Sequence, residues 1–304
     1  MTERIGFIGA GFMGHGMAKN LLEKGHPLTL LGHRNRAPVE DLVGRGAKEA
    51  KTAEEVARNS DIVFLCVTGS PEVETLVRGP SGLRAGAHKG MLIVDTSTSD
   101  PNSTMALAAE LKAVGVAFCD APLGGTPAQA EEGKLSAMVG CDAGIWPRLQ
   151  PVIACWAAKS VRLGVAGDGH KMKLLMNFLS LGYGALYSEL LAVGQKAGLS
   201  PQTIDSVLRG SRMDCGFYQT FFRYVLERDR DAHKFSLRNA HKDMKYLDAM
   251  ATAGGIANHL GSAVKNYYAM AEAAGRGEDY IPMLSDFVAE LNGVAPNATK
   301  QAAE

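Results

Sequence analysis

The chain has 304 residues, of which 46% are hydrophobic and 21% charged, and its 32 lysines and arginines balance 32 aspartates and glutamates. A chain of this length favours two domains, and a net charge of zero offers no general electrostatic field to nucleic acid or to an anionic membrane. The longest stretch without a charged side chain, residues 174–188, is shorter than the roughly 20 residues of a membrane span, so we expect neither a nucleic-acid nor a membrane partner.

The first half of the chain alternates short apolar strands with amphipathic helices. RIGFIGAG predicts a strand that runs into glycines, the next helix ends at Gly25, and PLTLLGHR predicts the second strand. DIVFLCV, GMLIVDTSTSDP, VAFCDAP and LSAMVG predict further strands, and Pro71 and Pro101 each open a helix. This alternation is typical of a mainly parallel sheet covered by helices on both faces. We therefore predict a doubly wound α/β Rossmann domain over residues 1–164.

Strand patterns stop near residue 165, and the rest of the chain is helical. The pattern predicts a long interdomain helix over residues 165–196 and an all-α domain over residues 197–294. Residues 295–304 are small and polar, and we expect them to be disordered.

The five cysteines are widely spaced, and no two of them have the spacing of metal ligands. We therefore expect reduced thiols in a cytoplasmic protein and no metal site. The N-terminus leads directly into the first strand without the pattern of a signal peptide, which agrees with this expectation.

A GxGxxG motif follows the first strand and opens a helix, which is the context in which it indicates a dinucleotide site. The first glycine permits a tight turn, the second lets a pyrophosphate approach the backbone, and the third lets the helix pack on the sheet. The helix N-terminus then offers N–H donors to the phosphates. The predicted cofactor-binding residues of this turn are Gly9, Gly11, Phe12, Met13 and Gly14.

The end of the second strand indicates which dinucleotide binds. An NAD site places an acid about 20 residues after the glycines to bond the ribose hydroxyls, but residues 31–36 (LGHRNR) contain none. His33 and Arg34 are there instead, Arg36 adds positive potential, and a guanidinium suits a 2′-phosphate. We therefore expect NADP (NADPH) as the preferred cofactor, with NAD as the alternative.

Two lysines lie in the apolar run that begins the long helix. Lys173 and Asn177 have i,i+4 spacing and share one face, whereas Lys171 points about 200° away from Lys173. Lys171 suits a lysine whose stem packs on the protein while its head reaches water. Only Lys173 can act together with Asn177, so Lys173 is the candidate for chemistry.

Four motifs, in this order, resemble those of the β-hydroxyacid dehydrogenases, which include 3-hydroxyisobutyrate dehydrogenase and tartronate semialdehyde reductase. GFIGAGFMGHGMAKNL resembles their cofactor turn, DTSTSDP their substrate-side loop, DAPLGGTPAQAEEGKLSAMVG their Asp-Ala-Pro segment, and GDGHKMKLLMNF their catalytic helix. The resemblance covers residues 5–293. It implies a Rossmann domain, an interdomain helix and a helical domain, assembled as a homodimer or homotetramer.

The resemblance also implies roles for single residues. Lys173 falls on the catalytic lysine of the family, and Asn177 falls on its partner. The implied substrate-binding residues are Ser97, Gly124, Gly125, Thr126 and Lys242. The glycine turn, His33 and Arg34 are not the only expected cofactor ligands. The others are Val67, Thr68, Thr98, Lys242 and Asp243.

The chain departs from the family pattern in two places. Gly124 stands where the family commonly has a serine that helps to hold the substrate carboxylate, and Met176 replaces the first residue of an Asn-Asn pair. The backbone N–H groups of Gly124 and Gly125, together with Ser97, can still hold an anionic group. The identity of the substrate stays open at this point.

The reaction that the resemblance implies is hydride transfer between the nicotinamide and a small anionic hydroxy acid or its semialdehyde. Lys173 gives a proton to the developing alkoxide in reduction and removes it in oxidation. A free lysine titrates near 10.4, so this role requires a lowered pKa, which an apolar setting or the charge of Lys242 would provide.

Two other classes of protein share this arrangement of domains along the chain. Imine reductases share the two domains and NADPH but generally lack a lysine at the position of Lys173, and a non-catalytic dinucleotide-binding scaffold would also have lost it.

His170 is a weaker acid–base candidate, because it does not share the face of Lys173 and Asn177. Three aromatic residues either wall the substrate pocket or pack in the core: Phe217, Tyr218 and Phe221.

Overall fold

The structure is a computed structural model that describes residues 2–294, so the disorder predicted for residues 295–304 lies outside the described residues. The described residues form two compact units, one that extends to Lys173 and one that begins at Leu174. The domain boundaries at residues 164 and 196 stay a prediction. The helix enclosed by them spans Asp168–Lys196.

The first unit is a sheet with helices on both faces. The strands of the sheet are β1 (Ile5–Ile8), β2 (Leu28–Leu31), β3 (Lys48–Ala50), β4 (Ile62–Leu65), β5 (Leu92–Asp95), β6 (Ala117–Asp120), β7 (Leu123–Gly124), β8 (Leu135–Gly140) and β9 (Ala157–Gly164). The helices are α1 (Gly14–Glu23), α2 (Ala37–Gly44), α3 (Ala53–Arg58), α4 (Ser70–Arg78), α5 (Leu83–Gly86), α6 (Pro101–Lys112), α7 (Pro127–Glu131), α8 (Trp146–Ile153) and the start of α9 (Asp168–Lys196).

The strand order is β3-β2-β1-β4-β5-β6-β8-β7, with β9 beside β8. The strands from β3 to β6 are parallel neighbours, whereas β8 is antiparallel to β6 and β7. The chain winds in one direction from β1 to β3 and in the other from β4 to β6, and ligands of such sheets bind at the carboxyl ends of the strands near this point. The predicted α/β fold with a mainly parallel sheet is confirmed.

Successive strand residues point to opposite faces of the sheet, and each face has its own apolar core. Phe7 and Phe64 belong to one core, with Trp156 packed edge-on against Phe64. Val63 and Leu65 belong to the other core. This burial on both faces fixes the strands, and with them the loops that leave their carboxyl ends.

The second unit is helical. It contains the remainder of α9, then α10 (Pro201–Leu208), α11 (Gly216–Glu227), α12 (Leu237–Ala253), α13 (His259–Ala271) and α14 (Leu284–Leu291). A π turn (Glu272–Arg276) and a 3₁₀ turn (Ile281–Met283) precede α14. Its core includes Tyr218, Phe221 and Tyr268. No helix within residues 2–294 combines the length and apolar content that crossing a bilayer requires.

Candidate active site

The glycine turn connects β1 to α1 and leaves room for a ligand. A Cβ at Gly9, whose φ is +105°, would lie 2.1 Å from the carbonyl oxygen of Cys66, and a Cβ at Gly14 would lie 2.0 Å from that of Gly9. A Cβ at Gly11 would meet no atom within 4 Å, so this backbone faces open space. No side chain caps the N-terminus of α1. These features fit the pyrophosphate of a dinucleotide.

A cavity of about 470 Å³ lies in front of this turn. It is lined by the turn itself, by the loop after β2 and by the start of α7. His15 connects three helices at its wall, because Nδ1 lies 2.7 Å from Glu131 Oε1 and Nε2 lies 2.9 Å from Asp41 Oδ2. No sequence motif marks His15, because its partners are distant in the chain.

The loop after β2 is less positive than its sequence indicates. His33 and Arg34 are exposed, as the prediction requires. Arg36, however, binds both carboxylate oxygens of Glu49 at 2.7 and 2.9 Å. Arg34 therefore stays the candidate ligand of a 2′-phosphate, while the charge of Arg36 is compensated.

The loops after β4 and β5 bring Val67 and Ser97 together. The N–H of Val67 donates to Ser97 Oγ at 2.9 Å. Buried Asp95 holds this loop, because its carboxylate accepts from the N–H of Ser97 at 2.9 Å and from the Ser99 hydroxyl at 2.7 Å. Thr98, which is partly exposed, follows directly. The fourth residue predicted here, Thr68, is exposed.

His170 lies in the first turn of α9. Its side chain is fully buried, with Nδ1 2.8 Å from the Thr104 hydroxyl and Nε2 3.1 Å from the carbonyl oxygen of Ser97. Since a carbonyl can only accept, Nε2 carries a proton that it donates to Ser97. The backbone N–H of His170 donates to buried Asp120 at 2.6 Å, and burial raises the pKa of that carboxyl. Both ring nitrogens thus have hydrogen-bond partners within the protein.

The two lysines of α9 have different environments. Lys171 Nζ forms an ion pair with Asp168 at 2.9 Å, and both side chains are about one-third exposed. Lys173 Nζ instead donates to the carbonyl oxygen of Leu123 at 2.7 Å in a partly buried setting. Leu123 immediately precedes Gly124, so the ammonium of Lys173 lies beside the predicted anion-binding segment.

A serine at position 124 would crowd a side chain of the neighbouring strand. Gly124 on β7 pairs with Ser136 on β8, and a Cβ at Gly124 would lie 2.5 Å from Ser136 Oγ. The Ser136 hydroxyl donates to the carbonyl oxygen of Gly124 at 3.2 Å. The neighbouring strand therefore supplies a hydroxyl close to the position where the family has its serine.

The next two residues of this segment shape the start of α7. Gly125 has φ +128°, a conformation that favours glycine. The Thr126 hydroxyl caps α7 by accepting from the N–H of Gln129 at 3.3 Å, and Gln129 Oε1 accepts from the N–H of Thr126 at 2.9 Å. The hydroxyl of Thr126 thus already has a structural partner.

Three predicted residues of the second unit form one polar group. Asn177 Nδ2 donates to Asp243 Oδ2 at 2.7 Å, and both side chains are buried. Lys242 Nζ lies 3.2 Å from Asp243 Oδ1 and 5.5 Å from the ring centroid of Tyr246. Tyr246, which no sequence motif marks, shares a helix face with Lys242.

The aromatic residues considered for the pocket wall pack around Tyr187. The centroids of Phe217, Tyr218 and Phe221 lie 6.3, 5.7 and 5.4 Å from that of Tyr187. Tyr218 and Phe221 are fully buried, so these two side chains belong to the core.

Within residues 2–294, no three His, Cys, Asp or Glu side chains are grouped as a metal site would require.

Comparison with known families yields two matching models. The model described as the NAD binding domain of 6-phosphogluconate dehydrogenase matches residues 4–164. The model described as NAD-binding of NADP-dependent 3-hydroxyisobutyrate dehydrogenase matches residues 167–285. Together the two models account for most of the chain.

Two relatives match over nearly their full length. The 3-sulfolactaldehyde reductase of Escherichia coli is 30% identical over 274 residues, which are 90% of this chain and 91% of that protein. The 2-(hydroxymethyl)glutarate dehydrogenase of Eubacterium barkeri is 28% identical over 293 residues, which are 96% of this chain and 97% of that protein.

Solved structures show the same fold. A 3-hydroxyisobutyrate dehydrogenase of Mycobacterium tuberculosis with L-serine aligns with a TM-score of 0.84 and 24% identity over 95% of this chain and 99% of that chain. An imine reductase of Myxococcus stipitatus aligns with a TM-score of 0.62 and 21% identity over 95% of this chain and 100% of that chain. At these identities the likeness concerns the fold alone.

Proposed function

The chain belongs to the β-hydroxyacid dehydrogenase family and is an NAD(P)-dependent oxidoreductase that acts on a CH–OH group, and on this premise we propose that it interconverts a small anionic 3-hydroxy acid or related hydroxy acid and its semialdehyde or oxo form with NADP. The observation that carries the proposal is the position of Lys173. Its ammonium donates to the Leu123 carbonyl, directly before Gly124 and Gly125.

Lys173 is the proposed acid–base group. As an ammonium it can give a proton to an alkoxide that develops on the substrate. The nicotinamide, when bound, supplies or accepts the hydride. Asn177 follows Lys173 by one helical turn and is oriented by its bond to Asp243, which supports its role as the partner of the lysine.

The proposed substrate is a small anion. The names of both relatives denote acids, one with an aldehyde and one with a hydroxymethyl group. Ser97, Lys242 and the N–H groups of Gly124 and Gly125 are the proposed ligands of the acidic group. Thr126 stays a candidate through its backbone, because its hydroxyl caps α7.

NADP is the proposed cofactor because exposed Arg34 follows β2, which carries no acid of its own. Thr68, Thr98 and Asp243 stay proposed cofactor ligands, as do Val67 and His33. Homodimeric or homotetrameric assembly and a cytoplasmic location stay predictions.

Imine reduction is the alternative function, and the experiment must distinguish it from the interconversion of hydroxy acids and their oxo forms. The test measures oxidation of NADPH and NADH with small semialdehyde acids, 2- and 3-oxo acids and cyclic imines. We expect turnover of one or more acids with a higher kcat/KM for NADPH than for NADH, and no turnover of imines. Turnover restricted to cyclic imines would contradict the proposed substrate class.

A further inference from the structure

A carboxylate stands at the end of β2 although the sequence of β2 carries none. It belongs to Glu49 of β3, which lies beside β2 through the parallel pairing of Leu30 with Glu49. A Cβ at Gly32 would lie 2.1 Å from Glu49 Oε1. Because Gly32 directly follows β2, this carboxylate lies where an NAD site places its acid.

Arg36 binds this carboxylate with both arms of its guanidinium. Nη1 lies 2.7 Å from Oε1 and Nη2 lies 2.9 Å from Oε2. Arg36 Nη1 would lie 2.5 Å from a Cβ at Gly32, so the pair fills the space in which a side chain at position 32 would stand. The hydrogen bonds from Arg36 hold the pKa of Glu49 below its ordinary value, so Glu49 is charged at neutral pH.

The other charged groups of this loop are less constrained. Glu40 Oε1 lies 4.0 Å from Arg36 Nε and is largely exposed. Within the part of the chain that the structure describes, Arg34 and His33 make no hydrogen bond or ion pair. The net charge offered to a ribose at the end of β2 therefore depends on whether Arg36 and Glu49 compensate each other.

We infer that Glu49 and Arg36 form a specificity element for the adenosine ribose of the cofactor, in which Arg36 cancels the repulsion that Glu49 would exert on a 2′-phosphate. This inference rests on the proposed function, because that function places a dinucleotide at the glycine turn. Without Arg36, Glu49 becomes a bare acceptor for ribose hydroxyls, which favours NAD. Without the charge of Glu49, Arg36 becomes a second cation for the phosphate, which favours NADP.

The test compares 2′,5′-ADP with 5′-AMP, which differ only in the 2′-phosphate. Dissociation constants are measured by calorimetry on the full chain for wild type, Glu49→Gln, Arg36→Ala and the double variant. The ratio of the constant for 5′-AMP to that for 2′,5′-ADP reports the discrimination. We expect Glu49→Gln to raise this ratio about threefold and Arg36→Ala to lower it about tenfold. The double variant should return towards the wild-type ratio.

Glu110→Gln is the matched control. Glu110 also accepts from arginine side chains, those of Arg78 and Arg84, and is similarly exposed. It lies near the C-terminal end of α6, whose other end follows the carboxyl edge of the sheet. This variant should leave the ratio unchanged. Because both test residues are partly exposed, we expect the variants to fold, and thermal unfolding verifies this for each.

The outcomes separate the inference from the preference for NADP. Opposite shifts in the two single variants support the inference even if wild type does not discriminate between the probes, a result that would contradict the NADP preference. Shifts in the same direction, or unchanged ratios in both variants, would overturn the inference. If wild type nevertheless binds 2′,5′-ADP more tightly, the NADP preference stands and Arg34→Ala should abolish it.

Discussion

At the scale of single residues, Lys171 and Lys173 show how far helix geometry alone can separate two similar side chains. Their spacing places them on different faces of α9, and each has the partner that its face offers: Asp168 for Lys171, the Leu123 carbonyl for Lys173. The distinction was predictable because it depends only on the period of a helix. The identity of the partner carbonyl was not, because it comes from a strand distant in the chain.

His170 provides a test of a positioning role at this scale. We expect His170→Phe to lower the free energy of unfolding by about 1–3 kcal/mol, because the Ser97 carbonyl and the Thr104 hydroxyl lose their buried partner. Any remaining activity should keep the wild-type pH profile of kcat/KM. Thr104→Val, which removes only the partner of Nδ1, serves as the milder control.

The measurements are urea unfolding and a pH series of initial rates. A variant of wild-type stability in which one limb of the pH profile disappears would mean that His170 itself exchanges protons with the substrate. Because His170 is buried and has two hydrogen-bond partners, we expect a loss of stability and an unchanged pH profile.

At the scale of elements, the predictable part of the fold is the part with apolar runs. The strands β1, β4 and β5 are buried along their full length, and their sequences predicted them. The edge strands β3 (KEA) and β9 (AAKSVRLG) carry charge and exposed residues, so no apolar run marked them. Because Glu49 lies on β3, missing this strand also meant missing the acid beside Gly32.

The pairing of β7 with β8 predicts the effect of restoring the serine of the family. Gly124→Ser should destabilise the first unit by about 1–3 kcal/mol, since its Cβ would collide with Ser136 Oγ. Adding Ser136→Ala removes the colliding atom and should recover most of the loss. Both tryptophans, Trp146 and Trp156, lie in this unit, so their fluorescence during urea unfolding measures the change.

The double variant decides how that loss is interpreted. Recovery in Gly124→Ser/Ser136→Ala, with Ser136→Ala alone near wild type, is the result that the register predicts. A double variant as unstable as Gly124→Ser would mean that position 124 requires glycine for a reason other than the Ser136 hydroxyl.

At the scale of the whole molecule, the family and the class of partner were predicted by the order of the motifs and by the balanced composition, and not by any single motif. Four motifs in sequence placed the chain in its family, and both family models agree with that placement. The composition alone does not indicate which charges pair, because a net charge of zero does not show which basic side chain lies beside which carboxylate. The basic sequence LGHRNR predicted three positive side chains, whereas the structure pairs Arg36 with a carboxylate of another strand.

We propose that this enzyme uses Lys173, and not its neighbour Lys171, to exchange the proton. Lys171 provides the matched control, because it has the same chemistry on the same helix and an ion pair at the surface. The most direct measurement is kcat/KM for the best acid substrate, with the dissociation constant of NADPH, in wild type, Lys173→Ala and Lys171→Ala.

We expect Lys173→Ala to lower kcat/KM by about 10²–10⁴-fold while NADPH binds within about twofold of wild type, and Lys171→Ala to change neither quantity appreciably. The size of the loss follows from general acid–base catalysis, and the unchanged binding follows because Lys173 lies beside Leu123 and not at the glycine turn. A Lys173→Ala enzyme with near-wild-type kcat/KM, or an equal loss in both variants, would contradict the proposed role of Lys173.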